Sequence, residues 1–210
     1  MARIDDYINA VELGKKGLLG RDLNRVADES GSILKKDSDG RPVLTLDFLN
    51  RRVAITWPEL AFSLEGLDAE VPIQQQVLLL HYLNGAGGSV LTGEWISYQE
   101  VPDGKFYMDA FLRRAKNPMV QGFGGRPELL VKLAKEVYGA MPSDHGDASV
   151  VIRALPLVPV ALILWKGDEE FPAEGTILFD KSVPQILSAE DIAWLSGMII
   201  YPLMGMAGSA

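Results

Sequence analysis

The chain has 210 residues, 48% of them hydrophobic and 23% charged, with a formal net charge of −8 and no cysteine. Such a composition fits one globular domain, or at most two small ones, with enough apolar residues for a substantial core. The acidic balance argues against a protein that grips nucleic-acid phosphates or an anionic membrane surface, and the missing thiols exclude disulfides, thiolate zinc sites, cysteine-ligated iron–sulfur clusters and a cysteine nucleophile.

Asp5 and Asp6 arrive where a secretion signal would need basic and apolar blocks. The apolar run from Ile192 to Met206 is too short and too interrupted to span a bilayer. The cytoplasm is the default location, with no membrane partner expected.

In chain order, Ile4, Tyr7, Ile8 and Val11 predict a short amphipathic helix ending around Gly14, and Leu23, Val26 and Ala27 predict a second ending near Gly31. The period then changes. Ser32 to Lys36, Pro42 to Phe48 and Arg52 to Trp57 read as an antiparallel meander, turning at Asp39-Gly40 and around Asn50. Leu44, Leu46 and Phe48 alternate to one face, as do Val53, Ile55 and Trp57.

Ile73 to Asn84 is apolar around most of a helix and should sit inside the domain, with Gln74 and His81 on its narrow polar side. Pro72 suits its start, and Gly85, Gly87 and Gly88 its stop. Thr92 to Glu100 then crowds polar and aromatic groups together: a pocket wall, or an edge strand with one wet face. Met108, Phe111, Leu112 and Ala115 predict a helix broken at Asn117-Pro118, with a surface ion pair between Asp109 and Arg113. A helix with Leu129, Leu130, Leu133, Ala134 and Val137 inward stops at Gly139.

A second meander follows, over Ala148 to Ala154, Leu157 to Trp165 and Thr176 to Phe179, its middle strand apolar on both faces and therefore central. Ser188-Ala-Glu-Asp191 is a capping box opening a final helix. The whole predicts one α+β domain over residues 1–210 with a helical lead over 1–30. In it, antiparallel meanders of about six strands in one or two sheets pack with about six helices.

Chemistry-bearing constellations are few. Asp168, Glu169 and Glu170 follow the central strand and can hold a divalent cation through oxygens, supply an acid of raised pKa, or form a solvated hairpin loop. Asp180, ending the next strand, folds back beside that loop or caps the turn from Ser182 to Leu187. His81 reads as a boundary residue or a ligand. Asp144, His145 and Asp147 have loose metal-ligand spacing. Gly122 to Arg126 can cradle an anion or simply turn. It matches neither a phosphate loop nor a dinucleotide fingerprint, and no Gly-x-Ser-x-Gly elbow or His-Glu-x-x-His helix occurs.

Two blocks, LLLHYLNGAGGSVLTGEWISYQEVPDGKFYMDAF (Leu78 to Phe111) and LILWKGDEEFPAEGTILFD (Leu162 to Asp180), closed by LSAEDIAWL, resemble the uncharacterised domain-of-unknown-function family 3786. The similarity runs from about Leu23 onward. It implies no assigned activity and no transferable catalytic residues. It does imply an anaerobic bacterial or archaeal setting and a redox or cofactor-linked neighbourhood, because longer members carry a cysteine-rich iron–sulfur module. This chain has no cysteine, so a cluster does not carry over, and the cofactor stays unknown.

Two readings follow. One is a non-catalytic binding or accessory domain, holding a small ligand or docking to a redox protein through Glu94, Trp95, Ser97, Tyr98, Arg113 and the Asp168–Glu170 loop. The other is a carboxylate-based or metal-assisted enzyme using Glu94 or Glu100 with Asp168, Glu169, Glu170 and His81. The Trp95 segment and the acidic bend are expected to meet in one recess; carboxylates close together there would favour the enzyme, and carboxylates spread over open surface the binding domain. Separately, the apolar stretch Ile199 to Met206 makes the C-terminal helix a candidate homo-oligomer contact.

Overall fold

A computed structural model describes residues 4–67 and 69–208. These fall into two compact units. The first runs through Val90 and includes Leu155–Leu157 and Gln185–Leu187; the second comprises Leu91–Ala154, Val158–Pro184 and the chain from Ser188 onward. Each carries one antiparallel sheet and helices, giving the expected α+β class.

In the first unit, α1 (Ile4–Leu19) and α2 (Leu23–Ser30) precede β1 (Ile33–Lys36), β2 (Pro42–Phe48), β3 (Arg51–Thr56) and β4 (Phe62–Leu64), which pair in sequence order as a four-stranded meander. The β2–β3 turn uses Leu49 and Asn50, both at positive φ (49° and 62°), the conformation whose twist matches a tight hairpin. Buried Leu44, Leu46, Phe48, Val53 and Ile55 form the predicted apolar face, while Trp57, the sixth residue foreseen on it, falls just past β3 and is half-buried. The short β4 extends it.

Helix α1 does not stop at Gly14. Gly14 and Gly17 instead face α3 (Ile73–Gly85), where a Cβ would come within 2.8 Å of the Leu80 Cβ and 2.6 Å of Asn84 Oδ1. The glycines serve close helix packing here, and turn chemistry is the wrong reading of them. Helix α3 is as buried as predicted: Val77, Leu78, Leu79, Leu80, Tyr82 and Leu83 are covered, each contributing about 1.5–3 kcal/mol of apolar transfer. Arg21 caps its C-terminal end, donating to the carbonyls of Leu83, Asn84 and Ala86 while pairing with Glu29.

The Tyr82 hydroxyl donates to the Ser30 carbonyl at 2.6 Å and accepts from the Leu157 N–H at 3.2 Å, and burial pushes its phenol pKa well up. Tyr82→Phe therefore takes the partner from two backbone groups, the buried Ser30 carbonyl and the half-buried Leu157 N–H. We expect a loss of about 1–3 kcal/mol in urea unfolding; an unchanged midpoint would mean the hydroxyl contributes nothing.

The second unit holds β5 (Trp95–Ser97), α4 (Gly104–Phe111), α5 (Asn117–Phe123), α6 (Pro127–Tyr138), β6 (Met141–Pro142), β7 (Ala148–Leu155), β8 (Val158–Trp165), β9 (Glu174–Asp180) and α7 (Ala189–Ala207). Its sheet has the order β5-β9-β8-β7-β6, so the doubly apolar β8 is central as predicted. Ser188 and Asp191 form the predicted capping box of α7. The edge strand β5 realises one of the two readings of Thr92 to Glu100, while β4 and β6 lie outside the predicted set of strands. Both are too brief to show an alternating pattern.

No break occurs at Asn117-Pro118. Leu112–Lys116 is a π-helical turn joining α4 to α5, closed by the Asn117 N–H on the Leu112 carbonyl. Pro118 follows directly, and the wide turn accommodates a residue that has no N–H to offer the preceding carbonyls. One sheet face is covered by buried Val160, Leu162, Leu164, Ile177 and Phe179, and Phe179 meets the edges of Tyr98 and Phe111, which stack with centroids 4.1 Å apart.

Candidate functional site

The register of the five-stranded sheet places the predicted site residues. Trp95 lies opposite Asp180 at one end of β9, and Trp165 lies opposite Glu174 at the other. Six strand steps separate those ends, roughly 20 Å at the usual rise. The Trp95 segment and the acidic bend between Trp165 and Glu174 therefore do not share one recess. A sequence shows that two segments flank one strand, but not that they flank it at opposite ends.

At the Trp95 end, Asp180 is 3% exposed and accepts five hydrogen bonds: from the Thr92 N–H and hydroxyl, the Gly93 N–H, and the Ser182 N–H and hydroxyl, at 2.7–3.1 Å. Burial alone would raise its pKa, but these donors hold the carboxyl at about 2. It is a fully engaged anchor that ties the approach to β5 onto the end of β9. Of the two roles foreseen for it, the turn is realised and the acidic bend lies elsewhere.

Glu94 pairs with Lys181 at 2.7 Å on the surface. Glu100 accepts from the Ser97 N–H and hydroxyl, which lower its pKa, and starts the 3-10 turn Tyr98–Glu100. Tyr98 is 2% exposed, donates to the Ala189 carbonyl and belongs to the aromatic core. Trp95, 36% exposed, is the member of this segment that offers a broad apolar surface.

In the acidic bend, Asp168 accepts from the Glu170 and Phe171 N–H groups, which pull its pKa down, while Glu169 and Glu170 are exposed. Among the described residues no group of three His, Asp or Glu side chains is arranged to hold a metal ion, so the Asp144–His145–Asp147 spacing and the bend do not form one. Arg113 pairs with Asp109 at 3.0 Å, both well exposed, which is worth little. Arg126 donates to the carbonyls of Gly122 and Ala207, engaging the cation foreseen for an anion cradle. His81, half-buried on α3, belongs to the other unit. In α7, Ile199, Ile200 and Leu203 are fully buried, leaving Tyr201 and Met206 exposed on the proposed contact stretch.

The second face of the five-stranded sheet carries what the sequence did not reveal. Residues directly opposite in a ladder share a face, which aligns Trp95 with Asp180, and Leu178 with Ser97 and Ala161. On this face Trp95, Leu178, Ala161, Ile163 and Val151 enclose a recess of about 80 Å3, rimmed by Ser143 and His145. Its floor is buried: Ala161 and Ile163 are 4% and 3% exposed.

The rim is fixed rigidly. Ser149 Oγ receives the His145 N–H at 3.0 Å, interacts with Ser143 Oγ and donates to the Ser143 carbonyl. Asp147 accepts the Lys166 N–H at 2.7 Å, and its own N–H bonds the Leu164 carbonyl. Between them Gly146 sits at φ +61°, so close to β8 that a Cβ would lie 2.6 Å from the Leu164 carbonyl oxygen and 2.9 Å from Ile163 Cγ2. Alternation along β7 and β8 was legible in the sequence; which of two apolar faces stays partly open was not.

Fold and site together define an α+β protein built on two antiparallel sheets, one of them with a tryptophan-walled recess on its outer face. The chain belongs to the DUF3786 family, a domain of unknown function, whose family model matches residues 22–201. The match leaves out α1. No curated protein and no solved structure matches the chain. Among the described residues, no helix is long and apolar enough to cross a membrane.

Proposed function

We propose that this protein is a non-catalytic docking domain of the cytoplasm, and that the outer face of its five-stranded sheet receives an apolar side chain of a protein partner. The observation that carries this is the recess between Trp95 and His145, with its buried aliphatic floor and its hydrogen-bonded rim. Its volume of about 80 Å3 suits a side chain of leucine size, whereas pockets for free cofactors are several times larger, from about 300 Å3 upward. Of the two ligand classes expected for a binding domain, a protein partner is thus favoured over a small molecule. A carboxylate-based enzyme is the weaker reading, since Glu94, Glu100, Asp168 and Asp180 are each engaged in an ion pair or in fixing a turn.

The test is a 15N and methyl NMR titration with N-acetyl-leucinamide at millimolar concentration. We expect shifts confined to the Trp95 indole, His145, Val151, Ile163 and Leu178, and at least about tenfold weaker binding in Trp95→Ala, the size of effect typical of a central aromatic contact. Shifts scattered over both units, or none at all, would refute the reading.

A further inference from the structure

The outer face does not end at the recess. Trp165 is the next outward residue of β8 after Ile163, roughly 7 Å along the strand. It is 42% exposed, and one side of its ring lies against Gly146, whose Cβ would sit 3.3 Å from Trp165 Cε2. Opposite it in register stands exposed Glu174, and the bend that joins the two brings exposed Glu169 and Glu170. None of these three glutamates takes part in an ion pair among the described residues. The local cation is Lys166, while Arg153, on the outer side of β7, lies two residues further from this end than Val151. An exposed indole beside unpaired carboxylates attracts a cation by ring quadrupole and by charge together.

Building on the docking role just proposed, we infer the chemistry of the partner: an extended, basic protein segment. One apolar side chain enters the recess, and a lysine or arginine two positions along lies over Trp165 among Glu169, Glu170 and Glu174. Two residues of extended chain span the same roughly 7 Å that separates the recess floor from Trp165. The net charge of −8 favours approach of such a segment over an acidic one.

The experiment uses the full chain and three synthetic peptides with one leucine-centred core, flanked by lysine, by serine or by glutamate, followed by fluorescence anisotropy. The lysine peptide should bind about tenfold tighter than the serine peptide at low ionic strength, with the advantage shrinking as salt is added. Glu169→Gln, Glu170→Gln and Glu174→Gln combined should abolish that advantage, and Trp95→Ala should weaken the lysine peptide. Equal affinity of the lysine and serine peptides, with both sensitive to Trp95→Ala, would overturn the basic partner and leave the docking role standing. Lysine-peptide binding that ignores Trp95→Ala would be generic attraction to an acidic protein and would overturn the inference. Failure of all three peptides to bind would remove the docking role as well.

Discussion

Asp180→Ala should cost the five-stranded unit about 3–5 kcal/mol, the largest effect we expect from any single side chain outside the apolar core. The substitution leaves five donors, from Thr92, Gly93 and Ser182, without an acceptor at a site where the carboxylate is 3% exposed. Each orphaned buried donor costs about 1–3 kcal/mol, less whatever water can recover. Asp180→Asn is the sharper variant because volume is kept. Its amide nitrogen would face donors, so we expect about 2–3 kcal/mol of loss even there.

The same carboxyl sets an acid limit. Its pKa is depressed to about 2 in the fold, against about 3.9 in an unfolded chain. A depressed carboxyl stabilises the folded state above the unfolded value, and that contribution is lost as pH falls from about 4 through about 2. For Asp180 it amounts to about 2–3 kcal/mol at neutral pH by linkage. Urea unfolding repeated across this range should show a shallower acid decline in Asp180→Asn than in the parent. Parallel declines would mean that other carboxylates carry the dependence.

The second large effect is expected at Gly146→Ala. Two penalties combine there: a left-handed φ of +61°, and a Cβ that would press on the Leu164 carbonyl oxygen and on Ile163. Because the first clash is with backbone of the central strand, side-chain rotation cannot relieve it. A destabilisation of about 2–4 kcal/mol should accompany lifting of the 143–147 segment from β8. The functional readout differs from the thermal one. Lifting the segment removes His145 and Ser143 from the recess rim, so N-acetyl-leucinamide affinity should fall even at temperatures where the variant is fully folded. Retained affinity with lowered stability would show that the rim plays no part in binding.

Much of the fold was legible because it rests on local chemistry. Asp39-Gly40 and Asn50 mark hairpin turns by their tolerance of positive φ, Ser188 and Asp191 announce a helix start, and the doubly apolar β8 reports that it is covered. What the sequence concealed is relational. Gly14 looks like a stop until Leu80 is seen against it. Tyr98 and Trp95 stand three residues apart with equal aromatic promise, yet one fills the core and the other walls a recess, a difference set by which elements cover each sheet face. The acidic bend and the Trp95 segment both border β9, and only the register reveals that they border it at opposite ends.

The π turn at Leu112–Lys116 has its own arithmetic. Phe111, Ala115, Met119 and Phe123 are all buried, at a constant spacing of four. On an undisturbed α-helix such a series drifts about 40° per step, so Phe123 would point about 120° away from Phe111. A turn closing on the fifth residue advances less per residue and winds much of that drift back. Rewound as plain α-helix at its full length, the segment would roll Met119 and Phe123 outward, whereas deleting one residue between Leu112 and Lys116 would shorten their spacings from Phe111 to about two and three α turns and keep both inward. A sustained four-residue apolar beat is accordingly a signature worth searching for in other chains, since it marks a wide turn where a proline alone suggests a stop.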